Sequence, residues 1–350
     1  MKILKKLLSI VYRIIVYVRN FFYDKGLLKI KYLDSKVISV GNLSAGGTGK
    51  TTLVEFICAY IIENKRFPVI ISKGYKRQHD DIKVVETSFR NDNNELCTEN
   101  FGDEPFMLLE NLSVYNGKCL VVVGDNKTKA AKLASSKFKP DVIIIDDGFQ
   151  HRKLSRDLDI LILNPGDKSN LLPAGKLREP MGNMKRADLI IINNKFNKPG
   201  IIENTRHKPT VTVRYKLLGF MNKSGDMLDS EVKKATAFCG IADPSSFHDL
   251  LINNRINPVK FREFPDHHNF KSNDIEQIIK DFTESDSEII LTTQKDYVRL
   301  KNSELVLKSK SGNIYKQLLF EYPLYYSKIK IEISSGEDIL WKQINSLIGI

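Results

Sequence analysis

The sequence has little cysteine and no cysteine motif. Cys58, Cys97, Cys119 and Cys239 stand far apart among 350 residues. No Cys-x-x-Cys or Cys/His cluster gathers ligands, so a zinc site of ordinary spacing is not expected. Scattered thiols instead fit a reducing compartment. Internal repeats and low-complexity tracts are also missing. So is an unbroken apolar run of the roughly 20 residues that a membrane span needs. Arg13 and Arg19 interrupt the N-terminal candidate, and no small-residue cleavage site of a signal peptide follows it.

What is present is an ordinary globular composition, 42% hydrophobic and 27% charged, with a net charge of +12. The length suits one large or two modest domains. The basic balance calls for an acidic partner: nucleic acid, anionic lipid or a phosphorylated substrate. Residues 1–26 carry Lys2, Lys5, Lys6, Arg13, Arg19 and Lys25 against a single acid, Asp24. Leu4, Leu7, Leu8, Val11, Ile14, Ile15, Val18 and Phe22 recur at three and four residues. This is the pattern of a basic amphipathic helix lying in a membrane interface. Packing on the protein's own core is the competing reading.

The most informative stretch is Ser44-Ala45-Gly46-Gly47-Thr48-Gly49-Lys50-Thr51. It follows the apolar run Val37-Ile38-Ser39-Val40 and precedes a helical pattern over 52–62. Strand, Gly-rich loop and helix in that order make a phosphate cradle. Backbone N–H groups close on phosphate oxygens, Lys50 reaches the β- and γ-phosphates, and the Thr51 hydroxyl ligates Mg²⁺. The usual first glycine of the pattern is Ser44 here.

Further apolar runs predict strands at 68–72, 119–123, 142–145, 158–163 and 189–192, with helices near 102–111 and 127–138. Near-continuous Val/Ile/Leu strands separated by helices indicate an α/β fold. The expected architecture is a phosphate-loop NTPase-like, mostly parallel sheet with helices on both faces. Pro199, Gly200 and Pro209 weaken the pattern between 193 and 216, where a hinge is expected. A smaller C-terminal α/β domain over 201–350 then follows the nucleotide-binding domain of 27–200. Its strands fall at 235–240 and 288–293, and its helices at 244–253 and 275–282.

Ligands in such sheets bind at the carboxyl ends of strands, and the polar motifs cluster there. Asp146-Asp147 ends an aliphatic strand, as a Walker-B-type Mg²⁺ ligand does, although an acid there also serves as a turn or cap. Asp103-Glu104-Pro105 opens a helix. Asp103 is either its N-cap or a general base for an alcohol hydroxyl. Asp266-His267-His268 lies in a Pro-bounded loop, where a histidine beside a carboxylate can tune a proton acceptor. In Leu172-Pro173-Ala174-Gly175-Lys176-Leu177-Arg178-Glu179-Pro180, Arg178 can clamp phosphate and Glu179 can support Mg²⁺; a structural loop is the alternative. Lys73, Lys76, Arg77 and Arg152 are further candidate anion contacts.

Taken together, these motifs resemble the tetraacyldisaccharide 4′-kinase family. The resemblance rests on residues 40–51, Ser72-Lys73-Gly74-Tyr75, Gly102-Asp103-Glu104-Pro105, residues 146–152, 172–180 and 264–268, and Thr292-Thr293-Gln294-Lys295-Asp296. It implies transfer of the γ-phosphate of ATP, with Mg²⁺, to the 4′-hydroxyl of an acylated glucosamine disaccharide 1-phosphate. The product is lipid IV-A, made at the cytoplasmic face of the bacterial inner membrane, with no nucleic-acid partner. By the same resemblance Lys50 and Thr51 handle ATP and Mg²⁺, and Asp103 is the base, assisted by His267 or His268. Asp146 and Asp147 organise the metal, while Arg178 and Glu179 line the site. Lys73 and Lys127 stand where relatives often carry Arg, which removes a bidentate fork. The rival reading is a membrane-associated switch or partitioning-type ATPase. Those carry a Lys before the double glycine, where this chain has Ala45.

Overall fold

The computed structural model describes residues 2–74, 77, 81–88, 96–165, 169–196, 200, 202, 205, 207–303, 306 and 313–350. Of the expected motif residues, Tyr75 and Lys76 lie outside them. The helices are α1 Lys2–Asp24, α2 Lys50–Glu63, α3 Thr98–Phe101, α4 Asp103–Leu112, α5 Lys127–Phe138, α6 Pro244–Asn253, α7 Ser272–Thr283, α8 Gln294–Lys301, α9 Ile314–Phe320 and α10 Glu337–Ile348. The strands are β1 Lys36–Asn42, β2 Pro68–Ser72, β3 Lys83–Glu86, β4 Leu120–Val123, β5 Val142–Asp146, β6 Leu158–Leu163, β7 Leu189–Asn193, β8 Thr210–Met221, β9 Lys234–Cys239, β10 Asn257–Glu263, β11 Ile289–Thr293 and β12 Leu324–Ser335.

Among the described residues the twelve strands join one sheet in the order β10-β9-β11-β12-β8-β7-β6-β1-β5-β2-β4-β3. Neighbours are parallel except β3 with β4 and β8 with β12. The aliphatic strands are buried on both faces, as a covered parallel sheet requires. Ile38, Val40, Ile70, Val121 and Ile144 pack beneath Leu53, Val54 and Ile57 of α2 and Leu108 of α4. On the opposite face Val37, Val69, Ile71, Val122 and Ile143 pack on Ala130, Ala131 and Ala134 of α5.

The boundary expected near 193–216 falls on the connection from β7 to β8. Strand β8 pairs with β7 on one side and with β12 on the other, so a single sheet runs through both expected units. From β12 onward the strands run opposite to the first set. The β8–β12 ladder shifts register at Lys328/Ile329 and at Ile333/Ser335, irregularities that bend and twist a strand pair. The carboxyl ends of β1, β5 and β7 from one set and of β9 and β11 from the other thereby reach one cavity.

Helix α1 is docked by its polar stripe. Ser9 Oγ donates to the Leu171 carbonyl at 2.9 Å and Tyr12 Oη to the Arg178 carbonyl at 2.9 Å. Val16 and Asn20 are buried on the same stripe. Leu4, Leu7, Val11, Ile14, Ile15 and Val18 point outward, each 41–60% exposed. Among the described residues no helix is long and apolar enough to cross a membrane.

Candidate active site

The loop from Leu43 to Gly49 connects β1 to α2 and forms one wall of a cavity of about 490 Å³. Its shape is fixed from below. The Asn42 amide donates to Thr48 Oγ1 at 2.8 Å, and Asn193, at the end of β7, donates to the Thr48 carbonyl at 3.0 Å. The neighbouring segment adds two backbone bonds, Ala45 N–H to Lys176 O at 2.7 Å and Arg178 N–H to Leu43 O at 2.7 Å. Gly49 has φ +93°, and a Cβ there would lie 2.2 Å from Tyr215 Oη and 2.5 Å from Asn193 Nδ2. Only glycine fits that conformation in that space. Gly46 and Gly47 also line the cavity, and a helix N-terminus behind a glycine-rich loop is an arrangement suited to anions.

Three charges meet beside the cradle. Arg178 Nη1 grips both oxygens of Asp147, at 2.8 and 3.1 Å, and Lys50 Nζ lies 3.5 Å from Asp147 Oδ1. Burial pushes the Asp147 carboxyl up, but Lys50, Arg178 and Lys127 outweigh it and hold the group well below the usual carboxylate range. Asp147 sits at φ +55°, a turn pinned by Lys127, whose Nζ donates to the carbonyls of Asp146 and Asp147 at 2.6 and 2.7 Å. Lys127 therefore supports the acidic turn from inside, a role that its position in the sequence did not reveal.

Asp146 pairs in register with Val40 of β1, which brings its Oδ2 to 3.5 Å from Thr51 Oγ1. Its Oδ1 is buried and has no hydrogen-bond partner. Burial, reinforced by the nearby Glu104 charge, pushes its pKa up to about 7. An orphaned carboxylate oxygen beside a threonine hydroxyl at a phosphate cradle fits a divalent cation. No group of three or more His, Cys, Asp or Glu among the described residues would hold a metal alone. A Mg²⁺ held by one or two protein oxygens plus phosphate and water has that donor set.

Across the cavity stands Asp103. Gly102 occupies the N-cap of α4, and Asp103 accepts the Glu104 amide on Oδ1 at 2.9 Å. Oδ2 faces His267 Nδ1 at 2.9 Å and Arg299 Nη2 at 2.7 Å. Burial opposes the charge of Asp103, but Lys295, His267 and Arg299 together pull its pKa far below the carboxylate range. The Thr292–Asp296 segment builds the support. Thr293 caps α8, Asp296 accepts from the Thr293 hydroxyl and from the Gly240 amide, and it pairs with Arg299 at 2.8 Å. Lys295 Nζ lies 3.1 Å from Glu104 Oε1 and 3.2 Å from His267 Nε2. Arg299 escaped the sequence reading, and Lys295 entered it only within the 292–296 motif, without a role; their i, i+4 spacing on a helix that begins at the end of a strand was the available signal.

Other expected residues have different neighbours. His268 bonds Asp274 Oδ2 at 2.9 Å and stacks on Phe264 at 4.8 Å, so His267 alone of the pair meets Asp103. Glu179 is fully buried away from the cavity. It accepts from Arg19 and Arg186 at 2.7 Å each, Asn183 at 2.7 Å and Asn20 at 3.1 Å, which ties α1 to the loop rather than to a metal. Arg152 pairs with Asp24 at 2.7 Å and Arg77 lies near Asp81 and Asp125, while Lys73 is exposed. Glu55, one and a half turns into α2, lines the cavity beyond the cradle, and burial pushes its pKa up to about 7.

The family described as Tetraacyldisaccharide-1-P 4′-kinase matches residues 1–348 of the chain. Among curated relatives, a tetraacyldisaccharide 4′-kinase from Aquifex aeolicus is 38% identical over 302 residues, covering 85% of this chain and 90% of the relative. One from Pelodictyon phaeoclathratiforme is 33% identical, covering 97% and 96%. A crystal structure described as the "apo" form of LpxK from Aquifex aeolicus in complex with ATP superposes with a TM-score of 0.73. It shares 32% identity and covers 97% of both chains.

Proposed function

As the chain belongs to the tetraacyldisaccharide 4′-kinase family, we propose how its cavity carries out ATP-dependent phosphoryl transfer to the 4′-hydroxyl of an acylated glucosamine disaccharide 1-phosphate. The protein is a kinase of lipid A biosynthesis with ATP as its phosphoryl donor. The observation that carries the site assignment is the juxtaposition of two devices on one cavity. The 44–51 loop is a phosphate cradle, and the Asp103–His267 pair is a proton acceptor facing it.

In this reading the loop amides, Lys50 and Arg178 hold the β- and γ-phosphates, and Asp147 aligns both cations. Thr51 and Asp146 would hold Mg²⁺, which would supply charge neutralisation at the phosphates. Lys127 keeps the acidic turn in place, and the Asp103–His267 pair takes the proton of the attacking hydroxyl. The reaction needs little covalent help from the protein, so the rate comes from positioning and charge neutralisation.

The outward apolar face of α1 lies in the membrane interface at the cytoplasmic face of the inner membrane, near the acyl chains of the acceptor. Its buried polar stripe and exposed leucines and isoleucines support that reading, because a soluble surface helix is apolar on its inner side. Removing residues 1–24 is expected to release the protein from anionic vesicles in sedimentation; unchanged binding contradicts the assignment. The kinase reading is checked by ATP consumption, which should depend on the acylated disaccharide. Robust hydrolysis without acceptor would instead favour a switch ATPase.

A further inference from the structure

Helix α1 presents three faces. Ser9, Tyr12, Val16 and Asn20 turn to the protein, and Leu7, Val11, Ile14 and Val18 turn outward. With 3.6 residues per turn, Lys6, Ile10 and Arg13 fall on one flank between the two. That flank borders a second cavity, of about 520 Å³, whose other wall is the loop over 169–181. Among the described residues it shares no lining side chain with the catalytic cavity. The wall is apolar, with Leu171, Leu177 and Met181 facing Ile10. It is also well braced. Leu171 and Leu177 form a β-bridge, Leu172 N–H donates to Leu177 O at 2.8 Å, and Leu177 N–H donates to Asn170 O at 3.0 Å. Charge at the rim is of one sign. Lys6 and Arg13 stand about 10 Å apart along the helix, and no Asp or Glu lines the groove. Among the described residues α1 enters ion pairs only through Arg19 with Glu179 and Asp24 with Arg152. Lys6 and Arg13 are exposed and keep their charge uncompensated.

Resting on the reading that α1 lies in the membrane interface, we propose that this groove holds one anionic glycerophospholipid of the bilayer. Its phosphate sits between Lys6 and Arg13, and an acyl chain runs along Ile10, Leu171, Leu177 and Met181. An acidic peptide or a free phosphate meets the two cations but leaves the apolar wall in water; an anionic head with an apolar chain satisfies both. The flank of a helix whose outward face is sunk in the hydrocarbon boundary sits at headgroup depth, where long cationic side chains reach for phosphate. Arg13 brings a fork of donors and Lys6 a point charge. This lipid is distinct from the acceptor, whose hydroxyl must enter the other cavity. Its effect still reaches there, because the loop that walls the groove carries Arg178 to Asp147. A lipid wedged between α1 and that loop fixes how the helix is rotated on the membrane and steadies the Arg178 arm.

The test titrates the full chain with dihexanoyl phosphatidylglycerol, kept below its micelle concentration so that no bilayer is needed. Saturable one-to-one binding is expected by calorimetry. Each basic residue at an anionic lipid is worth roughly fivefold in affinity, so Lys6→Ala/Arg13→Ala weakens binding by about 30-fold. Lys5→Ala/Lys29→Ala removes the same charge outside the groove and costs less than about threefold, because solvent and salt screen it. All four residues are exposed, so the fold survives both changes. Four results overturn the proposal: a wild-type protein that does not bind the probe, equal losses in the two double variants, inorganic phosphate binding as tightly as the probe, or the probe competing with the acylated disaccharide in turnover, which assigns the groove to the acceptor. Failure of the interface reading looks different: the wild-type protein then leaves phosphatidylglycerol vesicles unbound in sedimentation, while the dissolved probe still binds.

Discussion

Replacing Glu179 with alanine removes the one carboxylate that holds α1 to the loop carrying Arg178. The side chain is fully buried and accepts four hydrogen bonds, from Arg19, Asn20, Asn183 and Arg186. The Arg186 pair is largely shielded from water, and Arg186 also lies over the Phe149 ring at 4.5 Å. Breaking such a pair while leaving the cation behind costs about 3–5 kcal/mol. The Arg19 arm is more than a third exposed, so screening limits it to about 1 kcal/mol or less. The terms overlap, and about 4 kcal/mol is the expected loss. At the low end of the usual scaling, about 2 °C per kcal/mol, the melting temperature falls by about 8 °C. Burial pushes the Glu179 pKa up, but Arg186, Asn183 and Arg19 pull it below the ordinary value. The stabilisation is therefore present at neutral pH and disappears as the pH falls through the carboxylate range. Calorimetry at pH 7.5 measures the loss, and hydrogen exchange locates it in α1. A shift of less than 2 °C, or unchanged protection over residues 2–24, refutes the role given to Glu179.

Gly49→Ala is expected to abolish measurable ATP binding in calorimetric titration, because the new Cβ collides with Tyr215 and Asn193 at a left-handed φ; near-normal affinity would show that the cradle relaxes freely. Asp103→Asn should lower kcat by roughly 10²–10⁴-fold with ATP affinity retained, and full turnover would remove the pair from the chemistry. Glu55→Gln keeps the bond from Asn111 but removes a carboxylate whose pKa burial raises to about 7. A raised carboxylate binds its proton more tightly in the folded state, so stability falls as pH climbs from about 4.5 to 7. The variant should therefore be more stable than wild type by about 1–3 kcal/mol at pH 8 and equal to it near pH 4.5. A gap of the same size at both pH values would contradict that assignment in urea titrations.

The β-strands that form the centre of the sheet were legible because each is a continuous aliphatic run, and helices 127–138 and 244–253 fall where their periodicity put them. Strands β8 and β12 escaped notice for the opposite reason. Thr210-Val211-Thr212-Val213 and Lys328-Ile329-Lys330-Ile331 alternate, as half-exposed antiparallel strands do. A reading tuned to unbroken apolar runs passes over them. Their pairing makes one sheet of what reads as two domains, and that pairing joins residues more than a hundred positions apart. The strand, glycine-rich loop and helix around 44–51 were legible because their residues are contiguous. The partners of Asp103 were not: Arg299 lies 196 residues away and His267 164 away. Glu179 was expected near a metal because its neighbour Arg178 faces the cavity. Adjacent residues in an extended loop point to opposite sides, and Glu179 turns toward α1.

A phosphate cradle and a proton acceptor on one cavity are proposed to serve a lipid-borne hydroxyl. That proposal is tested most directly by incubating the protein with ATP, Mg²⁺ and tetraacylated glucosamine disaccharide 1-phosphate in mixed micelles and weighing the lipid product. A mass gain of one phosphoryl group, located by fragmentation on the distal sugar, is expected. ATP consumed while the lipid mass stays unchanged would contradict it.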